Sequence, residues 1–120
     1  MNKKILIVND SDDNLFLLSI YFKDHAEIEV VTANSGEKAI TLFEKESFDL
    51  VLLDINMPGM DGFETLEKIR TIKREVKIFA LTGSTLDEEI EKIMEAGFDK
   101  HLAKPIRKQA LLDLVNEELG

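Results

Sequence analysis

Five short runs of strand-forming apolar residues recur along the chain at similar intervals, and a segment with helical spacing follows each one. The runs are residues 5–8 (ILIV), 28–32 (IEVVT), 50–53 (LVLL), 77–82 (KIFALT) and 101–103 (HLA). The helical stripes are Leu15, Leu18 and Phe22; Ala39, Ile40 and Phe43; Phe63, Leu66 and Ile69; Ile90, Ile93 and Met94; and Leu111, Leu114 and Val115. A strand that is apolar at successive positions has no face suited to water, so its sheet must be covered on both sides. Helices between the strands supply that cover through right-handed crossovers. The predicted fold is doubly wound α/β, a five-stranded parallel sheet with five helices on both faces. In the flavodoxin-like order 2-1-3-4-5, strands one, three and four are neighbours and the last strand lies at the edge beside the fourth.

Local signals agree with that pattern. Thr85 with Glu88 reads as a capping box and Asn34 with Glu37 as a looser one. Gly97 stands where a helix beginning near Asp87 should stop. At 120 residues, 44% of them hydrophobic and 32% charged, the chain has the length and composition of a single globular domain over residues 1–120. A net charge of -9 disfavours nucleic acid as a direct partner, because phosphate backbones are bound through clustered Lys and Arg. The same charge attracts a divalent cation or a basic surface. The chain has no cysteine, which removes disulfides, thiolate metal sites and Cys nucleophiles together. The first ten residues hold too short an apolar core for a signal peptide, and no run approaches membrane-spanning length, so the expected location is cytoplasmic with no membrane partner.

One strand ends in a way that burial does not explain. In SFDLVLLDINMPGMDG, residues 47–62, four apolar residues deliver the chain into Asp54 and then into a proline and glycine loop. Asp54 is either turn chemistry before Pro58 and Gly59 or a reactive group held on a rigid element. In an open parallel sheet, ligands bind beyond the carboxyl ends of the strands, near the point where strand order reverses. Asn9 and Asp10 follow the first strand, Asp54 the third, Thr82 the fourth and Lys104 the last. Each has an ordinary reading alone: Asp10 as a helix cap, Thr82 as β-branched filler, Lys104 as a solvated cation. Collected at one sheet edge, they form a pocket with defined chemistry. Two carboxylates among oxygen donors suit Mg²⁺, and a lysine beside it is a second positive centre for an anion. A carboxylate can then take a phosphoryl group, and Asp54 is the expected nucleophile because it sits on the central strand.

These residues resemble the receiver domain of two-component response regulators, the chemotaxis-regulator type included. The resemblance runs through KKILIVND, LVLLDINMPGMDGFE, IFALTGS and HLAKPI, and so covers essentially the whole chain. It implies that Asp54 is the phosphoacceptor, taking a phosphoryl group from a phosphohistidine on a sensor histidine kinase or a histidine phosphotransfer protein. It implies Asp10 and Asp54 as direct Mg²⁺ ligands and the main-chain carbonyl of Asn56 as a third. Lys104 would contact the phosphoryl oxygens, Thr82 would hydrogen-bond to them as a switch, and the Lys104–Pro105 bond would be cis. Such a protein is not an enzyme beyond its own phosphorylation and dephosphorylation. Its output is a changed surface for a downstream protein target, on the fourth helix, last strand and fifth helix.

Two positions depart from the family pattern. The first strand usually ends in two acids, and here Asn9 precedes Asp10; Asn9 can reach the metal only through a bound water, which predicts weaker Mg²⁺ binding. His101 stands where relatives carry Tyr or Phe, and is either a titratable switch residue or an edge-strand residue in water. His25 reads as a surface residue. LFLLSIYF, residues 15–22, is more apolar than one buried stripe requires, so this helix is either deeply packed or presents a docking patch, as in similar receivers. Two rival functions use some of the same residues. A haloacid-dehalogenase-type phosphatase needs a second Asp two residues after its nucleophile, where this chain has Asn56, and its nucleophile follows the first strand. A pseudo-receiver binding module is supported only by Asn9. With no further module after the fifth helix, the chain is read as a free-standing receiver or a piece of a larger protein.

Overall fold

The computed structural model describes residues 2–119. Along the chain, strands β1 (Lys3–Val8), β2 (Ile28–Ala33), β3 (Leu50–Asp54), β4 (Lys77–Thr82) and β5 (Lys100–Ala103) alternate with helices α1 (Asp12–Ile20), α2 (Gly36–Lys45), α3 (Gly62–Ile72), α4 (Asp87–Ala96) and α5 (Lys108–Leu119). All neighbouring strands are parallel, in the order β2-β1-β3-β4-β5. The expected architecture is therefore the observed one.

The uniformly apolar strands divide their side chains between two cores. Leu6, Val8, Val51, Leu53, Ile78 and Ala80 face one side, against Ala39 and Phe43 of α2, Leu66 and Ile69 of α3 and Ile93 of α4. Ile5, Ile7, Leu50, Leu52, Phe79 and Leu81 face the other, against Leu15 and Leu18 of α1 and Leu111, Leu112 and Val115 of α5. The central strands alternate sides with a period of two and are buried on both, while the edge strands β2 and β5 are partly exposed. Burying a Leu or Ile contributes about 1.5–3 kcal/mol, so the central strands β1, β3 and β4 hold the largest share of the stabilisation. Among the described residues no helix is long and apolar enough to cross a membrane.

The helix starts differ from expectation by single residues. The cap of α2 is Ser35 rather than Asn34, its hydroxyl accepting from the Lys38 N–H at 3.1 Å. At α4 the cap position falls on Leu86, one past Thr85, with no side-chain bond; Asp87, Glu88 and Glu89 in the first turn complement the helix dipole instead. A full capping box does exist, on α3, where Asp61 accepts from the Glu64 N–H at 2.9 Å and Glu64 accepts from the Asp61 N–H at 3.4 Å. Gly97 ends α4 as expected, at φ 111°, a left-handed conformation that favours glycine. The fourth stripe is narrower than its spacing suggests, for Ile93 is buried while Met94 is exposed. Phe22 lies beyond the end of α1 yet is still buried.

Two contacts set the ends of α3. At its start, the Gly62 N–H donates to the Ile55 carbonyl at 2.9 Å, drawing the helix onto the loop after β3. At its end, the Arg70 guanidinium donates to the carbonyls of Arg74, Val76 and Gly97 and to the Asp99 carboxylate, which also accepts from the Ile78 N–H. One arginine thereby ties α3 to the start of β4 and the end of α4. A Cβ on Gly62 would lie 2.6 Å from the Asp54 carbonyl oxygen and 2.7 Å from the Ile55 Cα, and both are backbone that cannot swing aside. Gly62→Ala is therefore expected to destabilise the fold by about 1–3 kcal/mol in urea titration, whereas Gly83→Ala, where a Cβ meets nothing within 4 Å, should change it little.

Candidate functional site

Strand register alone assembles the polar residues. Val8 pairs with Leu53, so Asn9 and Asp54 are the next residues of adjacent strands. Asp54 pairs with Leu81, placing Thr82 one step beyond. Thr82 pairs with Ala103, and the Lys104 N–H donates to the Thr82 carbonyl at 2.8 Å. Parallel strands all point their carboxyl ends the same way, so residues far apart in sequence meet at one edge.

Asp54 is 1% exposed, and its carboxylate is held from two directions. The Lys104 Nζ donates to Oδ1 at 2.6 Å, and the Asn56 N–H donates to the same oxygen at 3.3 Å. The bond from Asn56 is turn chemistry, closing the chain on itself two residues after the acid. The bond from Lys104 comes from the last strand and serves no local turn. The turn reading of Asp54 is therefore realised, and the same oxygen also carries an ion pair from a distant strand. Among the described residues Oδ2 receives no protein donor, yet it is not sealed from solvent. That oxygen is the open position of the site.

Burial pushes the Asp54 carboxyl above its ordinary value of 3.8. The hydrogen bond and charge of Lys104 and the Asn56 N–H oppose this, and the Asp10 charge adds to it, with burial prevailing. Asp10 is itself exposed at the mouth. Asn9 is 2% exposed, and its Oδ1 accepts from the Ser11 N–H at 2.9 Å; the Ser11 hydroxyl in turn accepts from the Asn14 N–H, capping α1. The loop between β1 and α1 thus hangs on the Asn9 side chain. Thr82 is 2% exposed, with its hydroxyl accepting from the Ser84 N–H at 3.1 Å and so holding the loop after β4. Lys104–Pro105 is a cis peptide bond. Asn56 is exposed at the start of the loop after β3.

His101 falls outside this group. It pairs with Ala80, two residues before Thr82, and is exposed on the edge strand. His25 is half-buried rather than simply at the surface, with Nδ1 3.4 Å from a Glu27 carboxylate oxygen. The first helix resolves its two readings by face. Leu15 and Leu18 are buried, while Phe16 is 69%, Leu17 47% and Ile20 36% exposed. One residue near the site gave no sequence signal: Tyr21 donates its hydroxyl to the Ile106 carbonyl at 2.9 Å, tying the end of α1 to the loop after β5. Gly62 could have been noticed, as a glycine opening a helix directly after the Asp54 loop.

Two carboxylates reach this edge, and among the described residues no group of three His, Cys, Asp or Glu side chains is placed to hold a metal ion. That donor set is too small for a cage of side chains and fits a cation that keeps most of its waters, the habit of Mg²⁺.

The family model described as response regulator receiver domain matches residues 5–116. The sensor protein GacS of Pseudomonas syringae pv. syringae is 36% identical over 122 residues, covering 98% of this chain; the chain spans 13% of that relative's length. The chemotaxis protein CheY4 of Vibrio cholerae superposes with a TM-score of 0.91 at 30% identity, covering 98% of this chain and 99% of that one. The receiver domain of the sensor histidine kinase PA1611 from Pseudomonas aeruginosa PAO1, solved with magnesium coordinated in its active site cleft, superposes at 0.89 with 27% identity, covering 100% and 99%.

The burial of Asp54 has a consequence for stability. A carboxyl whose folded pKa lies above its unfolded value holds its proton more tightly in the folded state. Its contribution is present in full below 3.8 and is lost as pH rises through the folded value. Asp54→Asn should therefore melt at a higher temperature than the wild type at neutral pH, with the gap closing below pH 3.8, as read by thermal unfolding across that range.

Proposed function

The chain belongs to the response regulator receiver domain family, a family of phosphoryl-accepting switches, and from that premise we propose that Asp54 is the residue phosphorylated. The observation that carries this reading is the buried Asp54 carboxylate, with Lys104 on one oxygen and, among the described residues, no protein donor on the other. A carboxylate oxygen attacks phosphorus, an O–P bond forms, and the bond from phosphorus to the donor nitrogen breaks with its electron pair returning to that nitrogen. The donor is a phosphohistidine on a sensor histidine kinase or a histidine phosphotransfer protein. Such chemistry depends on positioning and on neutralising charge, and the chain supplies both with few groups. Lys104 turns its ammonium from the Asp54 oxygen to the phosphoryl oxygens, and the Thr82 hydroxyl donates to another of them.

Asp10, Asp54 and the main-chain carbonyl of Asn56 would hold Mg²⁺, which when bound neutralises charge on the transferring group. Asn9 contributes through a metal-bound water, using the second lone pair of its Oδ1. Removing one negative charge from this set lowers metal affinity relative to a site with an acid at position 9. The phosphorylated state adds close to two negative charges beside Lys104 and Thr82, and the rearrangement reaches the surface of α4, β5 and α5, where a downstream protein binds. Leu86, 64% exposed, and Met94, 41% exposed, are apolar groups available on that surface. His101 on β5 belongs to the same surface and to the switch. The exposed Phe16, Leu17 and Ile20 of α1 support docking of the phosphodonor on that helix. The phosphatase reading is not favoured, since the position two residues after Asp54 is Asn56, which cannot act as a general acid. The pseudo-receiver reading is likewise disfavoured by Asp54 and Lys104 in direct contact.

Two measurements test the proposal. Incubation with Mg²⁺ and a small phosphoryl donor should give one acid-stable, base-labile adduct by mass spectrometry, absent in Asp54→Asn; an adduct surviving in that variant would move the acceptor elsewhere. Phe16→Glu and Ile20→Glu should leave labelling by the small donor intact and cut transfer from a phosphorylated histidine kinase by about tenfold or more, the effect of losing one central contact at an interface.

A further inference from the structure

Between α1 and the loop after β5 lies a cleft of about 410 Å³, with apolar walls that include Leu17, Tyr21, Leu81 and Ile106 and with Asn9 and Lys104 also in its lining. The Asn9 amide has a fixed sense, because its Oδ1 accepts from the Ser11 N–H and its NH₂ must take the other branch. Among the described residues that NH₂ donates to no acceptor, and it is not sealed from solvent. A side chain 98% buried thus brings to the cleft's lining a donor that no described residue uses. Lys104 brings three donors and directs one to Asp54. Asn9 and Lys104 offer hydrogens and one of them carries positive charge, the Asn14 amide is a third polar group in the lining, and the volume lies in the range of small-ligand sites, roughly 300–1,000 Å³. The larger groove along α3, about 700 Å³, differs in kind, since its Arg70 already directs four hydrogen bonds to backbone carbonyls and Asp99.

We propose that this cleft binds a small organic anion, a carboxylate or phosphate ester carried on a single ring or branched apolar body. The head group accepts from the Asn9 Nδ2 and the Lys104 Nζ, while the body packs against Leu17, Tyr21 and Ile106. The groups opposing it are the carboxylates of Asp10 and Asp54, so the site is best occupied with Mg²⁺ present. The neutral amide at position 9 is what admits an anion; a carboxylate there would repel one. Because the ligand shares Lys104 with Asp54, its occupancy slows phosphorylation; that consequence rests on the proposed function, whereas the binding does not.

The test is a titration of isotope-labelled protein in Mg²⁺ with benzoate and phenyl phosphate, benzyl alcohol as the uncharged body and inorganic phosphate as the bodiless head. Both anions should give saturable amide shifts at Leu17, Tyr21, Leu81 and Ile106. The alcohol and inorganic phosphate should bind at least about tenfold more weakly, the fold-change of one charge-assisted hydrogen bond. Asn9→Asp keeps an acceptor for the Ser11 N–H and so keeps the loop, and it should weaken both anions by about tenfold or more. Leu17→Glu, at a half-exposed position that folding tolerates, should act in the same direction. Benzyl alcohol binding as tightly as benzoate would make the cleft an apolar socket and overturn the proposal. So would anion shifts confined to the Asp54 loop and matched by inorganic phosphate, unchanged binding in Asn9→Asp, or no saturation. None of these results bears on whether Asp54 forms the base-labile adduct, so the two readings fail separately.

Discussion

The ion pair between Lys104 and Asp54, 2.6 Å long, joins the end of the last strand to the central one at the sheet edge where Asn9, Asp54, Thr82 and Lys104 meet. It exists because the fold forces an acid into a dry place. β3 is buried along its whole length, Asp54 included, and a carboxylate there needs a partner or its charge is lost. Lys104 is that partner, and only the order β2-β1-β3-β4-β5 brings it across, with β4 between. Burial nevertheless prevails over pairing and keeps the Asp54 carboxyl above its ordinary range.

The same edge shows how little a receiver spends on side chains. Asn9, Thr82 and Asp54 each hold a loop by accepting a backbone N–H two residues on, from Ser11, Ser84 and Asn56 respectively. Three strands therefore end in the same local device, a side-chain oxygen that turns the chain back on itself. The loops that shape the site are positioned by the residues that also line it, and contact with a ligand at any of them acts directly on loop geometry.

Much of this was readable beforehand, for physical reasons that differ by feature. Sheet order and the meeting of Asp54, Thr82 and Lys104 follow from parallel register, which depends on apolar runs long enough to recognise. Helix ends were harder. Ser35 and Asn34 are both good caps, and which one serves depends on where α2 lands against α3 rather than on preference. The Asp61 box is masked in the sequence because the loop after Asp54 reads first as turn chemistry. The two faces of α1 could not be separated by spacing, since seven of the eight residues from 15 to 22 are apolar and no polar stripe marks the outside. Nothing in the sequence announced that Tyr21 would reach Ile106, a contact between residues 85 apart. The placement of His101 away from the polar group follows from β5 being short and at the edge, where pairing with Ala80 sets its height.

Arg70 gives the molecule a mechanical asymmetry. Its guanidinium rivets three elements together at the end of the sheet remote from Asp54, through donors that a lysine in its place could not match in number. The opposite end is held differently, by side-chain turns after three strands, the Lys104–Asp54 ion pair and single hydrogen bonds such as that from Tyr21 to Ile106. A disturbance introduced there meets a stiff floor below, and its easiest path is sideways through the loops, along the rim, toward whichever helix yields first.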